Sequence, residues 1–218
     1  MLVYHFINAE HGLANLRHRR LKVSIINELN DPFEFLAVDA VYPEHRRAFR
    51  QAKKRLSRAY GMLCFSRKWQ NPVQWSHYAD RHRGLCLGFD VPDIYLEPIS
   101  YLSERVIFEP KMLTHSGDIA ESYVVKLLTT KFKHWSYENE MRSFIELNNP
   151  DKKSGLYFTP FSEDIVLKKV IVGARSSIKR HVLNEALGSI ASEVSVFKAR
   201  LAYHSFNVVR LKNESLWT

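Results

Sequence analysis

Two hydrophobic periods run along this chain and divide it into elements. Stretches that alternate, or that are short, apolar and rich in β-branched and aromatic residues, read as strands. They fall at residues 3–7, 21–25, 62–66, 85–89, 106–108, 138–147, 166–172, 194–197 and 206–210. Apolar residues spaced by three and four read as helices between them. One opens at Asn8 and runs to about residue 18, with Leu13 and Leu16 facing the core. Another covers 44–60 on a stripe of Phe49, Ala52, Leu56 and Ala59. A third suits 72–82, where Trp75, Tyr78, Ala79 and His82 share a face. Asp118 and Ser177 stand where they would cap two more, ending near residues 131 and 187. Strands and helices interleave without a regular βαβ period. The expectation is an α+β fold: a single domain over residues 1–218, with a mixed or split β-sheet flanked by helices.

Asn30-Asp31-Pro32-Phe33-Glu34 adds a dense local signal. Asp31 fits a helix N-cap, Pro32 the first helical position and Glu34 the acid of a capping box, with capping worth about 1 kcal/mol. In the other reading, Asn30 and Asp31 are polar groups at the mouth of a cleft.

Composition narrows the class. A hydrophobic fraction of 45% with 12% aromatics fills a core and excludes global disorder. No apolar run approaches the ~20 residues of a membrane span, and no basic segment followed by a long apolar one opens the chain. The expectation is a cytoplasmic protein without membrane contact. Cys64 and Cys86 lie in apolar runs and read as buried thiols; no CxxC or clustered His/Cys spacing points to a metal. The net charge of +9 suggests polyanionic company: nucleic acid, a phosphate-bearing cofactor or an acidic partner. The basic residues cluster, first at Arg17, Arg19, Arg20 and Lys22, then from Arg46 to Arg58. In the second cluster Arg50, Lys54 and Arg58 are candidates for nucleic-acid binding, the alternative being a solvated helix face.

The chemistry concentrates at His134-Trp135-Ser136-Tyr137-Glu138-Asn139-Glu140-Met141-Arg142. On an extended chain Glu138 and Glu140 point to the same face, with Arg142 next in line. Neighbouring carboxylates repel, which raises the apparent pKa of the pair and suits acid–base or cation-stabilising work. The same residues also suit a strand end whose acids are tied to basic side chains. P-loop, GxGxxG, GxSxG and zinc motifs are missing. What remains is a polar series at strand ends, His5, Ser66, Glu138 and Glu140, with an aromatic helix carrying Trp75 and Tyr78. Each of these residues also has a structural reading.

Taken in order, Asn30–Glu34, Leu63-Cys64-Phe65-Ser66, the Trp75–Gly84 segment, Gly88-Phe89-Asp90 and Trp135–Arg142 resemble an uncharacterised bacterial family of unknown function. Its hallmarks run NDPFE, CFS, W-hYa-x-x-h-x-G and W-x-x-E-x-E-x-R, and the resemblance covers about residues 3 to 175. A second resemblance concerns mechanism. Tyr4-His5-Phe6, a helix and Leu21-Lys22-Val23-Ser24 resemble the opening of ADP-ribosyltransferases, including those that modify DNA. That resemblance implies an ADP-ribosyltransferase-like core with NAD as substrate. His5 would contact NAD, Ser66 or Tyr78 would hold the nicotinamide ribose, and Glu140 with Glu138 would drive the reaction. Asn30 and Trp75 complete the set of candidate cofactor contacts. The Ser-Thr-Ser strand of the Arg-specific enzymes is absent, with Cys64-Phe65-Ser66 in its place.

The expected function is thus NAD-dependent modification of a macromolecule, protein or nucleic acid, in a bacterial toxin or phage-defence setting. The alternatives are a non-catalytic nucleic-acid-binding or sensing module, and a nuclease holding Mg²⁺ on Asp31, Glu138 and Glu140. The nuclease reading has Arg142 where a catalytic Lys would stand, and Arg is effectively never a base.

Overall fold

Side-chain alternation along the central strands sorts the apolar residues onto two faces of one sheet. In the computed structural model, which describes residues 1–116 and 118–217, eight strands lie side by side. Their order is Val208–Arg210, Ser195–Leu201, Val166–Val172, Leu85–Asp90, Leu2–Ile7, Tyr60–Ser66, Glu140–Glu146 and Glu97–Pro98; Ser24–Ile25 pairs separately with Tyr60–Ser66. Parallel pairing occurs between Val166–Val172 and Ser195–Leu201, joined by a helix. The remaining ladders along this path are antiparallel, so the sheet is mixed and the fold is α+β.

Val3, Leu63, Phe65, Leu85, Leu87, Val170 and Val172 face one way, onto α1 (Ala9–His18) and α5 (Arg180–Leu187). The opposite face carries two separate clusters. Met62 and Cys64 pack under α2 (Pro43–Ala59) and α4 (Glu121–Leu128). Tyr4, Cys86 and Ile171 pack under α3 (Pro72–Tyr78), with Trp75 at the centre. At Gly84 two backbones approach closely: a Cβ there would lie 2.1 Å from the Ile7 carbonyl oxygen.

The sheet splits between those two clusters. Leu2–Ile7 pairs with Leu85–Asp90 along its whole length, and Tyr60–Ser66 does the same with Glu140–Glu146. Between Leu2–Ile7 and Tyr60–Ser66 the ladder has a single register pair, Tyr4 opposite Ser66. His5 Nδ1 bonds the Cys64 carbonyl across the gap at 3.1 Å, standing in for a ladder bond.

Several elements differ from the sequence reading. Residues 31–34 form a turn rather than a helix start, and Phe35 is left-handed at φ 64°. Asp31 caps that turn by accepting from the Phe33 N–H, but Glu34 is drawn inward by Arg142, so no capping box closes. α3 stops at Tyr78, four residues short of expectation, because Asp80, Arg81 and His82 are all left-handed. Asp118 does not cap α4, which begins at Glu121; it pairs with Arg55 at 2.7 Å instead. Lys131, expected at the end of that helix, lies in a separate strand, Thr130–Phe132. Ser177 does not cap α5, whose N-cap position is Lys179. Val23 interrupts the strand expected at 21–25.

Cys64 and Cys86 are free thiols, Cys86 fully buried and Cys64 partly so. Among the described residues no helix is long and apolar enough to cross a membrane.

Candidate functional site

The acid pair is built by a break in the strand. Residues Lys133–Glu138 form a 3-10 helix, and Asn139 adopts the left-handed conformation that Asn tolerates. The strand then starts at Glu140, not Glu138 as the alternation implied. The Glu138 carbonyl is held by the Ser66 hydroxyl at 2.6 Å and the Gln74 amide at 2.6 Å. Both glutamates reach Lys131, which donates from Nζ to Glu138 at 2.6 Å and to Glu140 at 3.2 Å.

From this lysine a chain of polar groups runs both ways. Toward the surface, the Tyr78 hydroxyl donates to Glu138 and accepts from exposed Asn30 at 2.6 Å. Toward the interior, Arg142 grips Glu140 through Nε at 2.8 Å and Nη2 at 3.2 Å. Its other side holds both oxygens of Glu34, at 2.5 and 3.0 Å, and the Leu128 carbonyl at 2.5 Å. Arg142 is completely buried. Three carboxylates thus share two cations, leaving one excess negative charge at the sheet split.

The two glutamates are driven apart in acidity. Burial pushes the Glu138 carboxyl above its ordinary value of 4.5 and outweighs Lys131. Burial acts the same way on Glu140, but Arg142 and then Lys131 overcome it and hold this carboxyl below 4.5. Burial would lower Lys131, yet Glu140 and Glu138 raise it, so it stays charged. Burial also pushes the Tyr78 phenol up, reinforced by Glu138, so Tyr78 remains a donor. In stability terms the signs oppose. The contribution of Glu140 is complete above its unfolded value and is lost as pH falls through its lowered one. Glu138, being raised, takes up its proton first in the folded state and weakens the fold less as the solution is acidified. A carboxyl-carbon NMR titration is expected to show Glu138 with a midpoint above 4.5 and Glu140 below it. The reverse order would overturn this division of roles.

A cavity of about 240 Å³ opens beside the chain, at the sheet split. It brings together His5, Asn30, Ser66, Tyr78, Glu138 and Glu140. Tyr4, Ser66 and Glu140 form one lateral row across three strands. Trp75 is not among the lining residues. Its indole is fully buried, donates to the Trp69 carbonyl at 2.6 Å and packs against Phe6 and His82, so Trp75 is core. His5 is held by Cys64, its ring 6.1 Å from Phe65 edge-on, and burial lowers its pKa so that it stays neutral. Ser66 is committed to the main chain around Glu138. Asp31 stands apart from the acid pair and lines a neighbouring cavity. Among the described residues no group of three or more His, Cys, Asp or Glu could hold a metal ion.

Arg50, Lys54 and Arg58 are exposed on α2 and do not line the cleft. The earlier basic cluster is largely tied down: Arg19 caps carbonyls of α1 and α5, Arg20 pairs with Asp151 at 3.1 Å, and Lys22 with Glu28 at 3.1 Å. Sequence reasoning missed Lys131, Glu34 and Gln74. For Glu34 the signal was its place in a dense motif; for Lys131 and Gln74 no local pattern marked them.

Residues 74–143 match a family of unknown function, DUF2971. The match covers under half of the chain, yet it contains Gln74, Tyr78, Lys131, Glu138, Glu140 and Arg142. It leaves His5, Asn30, Glu34 and Ser66 outside. Neither a curated protein nor a solved structure matches the chain.

Proposed function

We propose that this chain cleaves the nicotinamide–ribose bond of NAD in the cleft and transfers ADP-ribose to a macromolecule. One observation carries the reading. A carboxylate with a raised pKa, Glu138, ends a buried, net-negative chain of side chains at a cleft in the split of the sheet. As that bond breaks, its electron pair leaves with nicotinamide and positive charge builds on the ribose, as in glycoside cleavage. The excess negative charge would stabilise that transition state in a low-dielectric site. The incoming hydroxyl or nitrogen of the target forms the new bond to the ribose carbon, and its proton passes to Glu138. Tyr78 and Asn30 would orient the ribose hydroxyls. Glu140, saturated by Arg142 and Lys131, acts as a positioning residue.

Incubating the purified protein with labelled NAD and cell lysate is expected to release nicotinamide and label a macromolecule. Folded protein giving neither transfer nor hydrolysis would sink the proposal.

A nucleic-acid target is favoured by α2, where Arg50, Lys54 and Arg58 recur every four residues on an exposed face. Each phosphate contact contributes about 0.9 to the slope of log affinity against log salt on duplex DNA. Neutralising all three to Ala is expected to lower DNA affinity and flatten that slope by roughly 2 to 3. An unchanged slope would remove α2 from the interface.

A further inference from the structure

The turn at residues 30–35 divides its side chains among three compartments. Asn30 lines the cleft, Glu34 enters the buried ion chain, and Asp31 and Phe33 line a second cavity of about 250 Å³. Lys131 contributes to both cavities, so they share a wall. The cleft alone is smaller than the roughly 300–1,000 Å³ of typical small-molecule sites. It has room for the glycosidic end of a dinucleotide and not for the whole.

The second cavity has a different chemistry. Phe33 and Phe132 line it, 52% and 45% exposed, with one face of Phe132 stacked on His134 at 4.6 Å between centroids, and exposed Leu102 adds a third apolar wall. The Arg105 guanidinium sits 5.1 Å from the Phe33 ring centroid and 3.5 Å from the Val38 carbonyl oxygen. Arg105 is exposed and forms no ion pair among the described residues. Half-exposed aromatic rings beside a guanidinium that holds no carboxylate accept a flat heterocycle by stacking and its phosphate by charge and hydrogen bonds. We infer that the second cavity is an adenine-nucleotide subsite. Phe33 and Phe132 receive the base, Arg105 faces the phosphate, and the ligand crosses the Asn30–Asp31 step into the cleft. The identity of this ligand as the far half of NAD rests on the function proposed above.

The test is calorimetric binding of AMP, nicotinamide mononucleotide and NAD to the wild-type protein, Phe33→Ala, Arg105→Ala and Tyr78→Phe. Both Phe33 and Arg105 are exposed, so these two variants keep the fold. AMP is expected to bind the wild type, and Phe33→Ala and Arg105→Ala to weaken AMP and NAD by about tenfold or more. Nicotinamide mononucleotide is expected to keep its affinity in both and to lose it in Tyr78→Phe. Absence of AMP binding, or AMP affinity unchanged in both Phe33→Ala and Arg105→Ala, overturns the subsite. The two proposals fail separately. NAD turnover without AMP binding removes the subsite alone. AMP binding through Phe33 and Arg105 without NAD cleavage or transfer keeps the subsite and removes the catalytic reading.

Discussion

Replacing Arg142 by methionine is expected to cost about 3–5 kcal/mol, the usual penalty for breaking a buried ion pair from one side. At about 2–4 °C per kcal/mol for a chain of this size, the melting temperature should fall by on the order of 10 °C. The magnitude follows from the partners left behind. Arg142 is fully buried and grips Glu34 and Glu140 together with the Leu128 carbonyl. Without it Glu34 loses its ion-pair partner, Glu140 keeps only Lys131, and the carbonyl loses its donor. Lysine should not rescue the fold, because a point charge cannot reproduce two forked contacts. Adding Glu34→Leu to Arg142→Met should recover part of the loss, since it removes the stranded charge. Thermal unfolding of the three proteins checks this. A shift under about 2 °C for Arg142→Met would mean the ion chain is not a structural element.

Glu138→Gln is expected to lower NAD cleavage and transfer by at least about 10²-fold, the lower end of what a positioned acid–base group contributes. Its melting temperature should stay within a few degrees. The Glu138 side chain meets Lys131 on one oxygen and Tyr78 on the other. A glutamine amide can keep its oxygen on Lys131 and turn its NH₂ toward the phenol oxygen. Lys131 also retains Glu140. Glu140→Gln should behave differently. Arg142 and Lys131 donate to both oxygens of Glu140, so the amide of glutamine must aim its own donors at a cation. Lost activity there should come with lost stability. Unimpaired turnover by Glu138→Gln, or the same effect on stability in both variants, would reverse these assignments.

How much of the site was legible depended on how local each signal was. The central strands at 3–7, 62–66, 85–89 and 166–172 were readable from alternation and apolar runs, and the structure has them within two residues. The helix on Phe49 and Ala52 was equally plain, because a long amphipathic stripe fixes its period. His5, Ser66, Glu138 and Glu140 were legible as polar residues at strand ends and Tyr78 as a residue of the aromatic helix, and all five line one cavity. Trp75 misled because a helical stripe does not say which of its aromatic residues ends in the core. Glu34 misled because a capping box and a buried ion partner look alike in sequence. The choice was made 108 residues away, at Arg142.

The sequence by itself determined the strand and helix alternation, the α+β class, the basic surface of α2 and the proximity of two acids along the chain. Each is a property of neighbours within a few residues, where backbone geometry leaves few options. The tertiary structure decided how the acids differ. Asn139 turns left-handed, the strand begins one glutamate later than alternation implied, and Lys131 arrives from a different strand to sit between the pair. Arg142 then claims Glu140 and leaves Glu138 facing Tyr78 and the cleft. Charge pairing acts through space between segments far apart in the chain, and burial sets its strength, so folding alone could assign it.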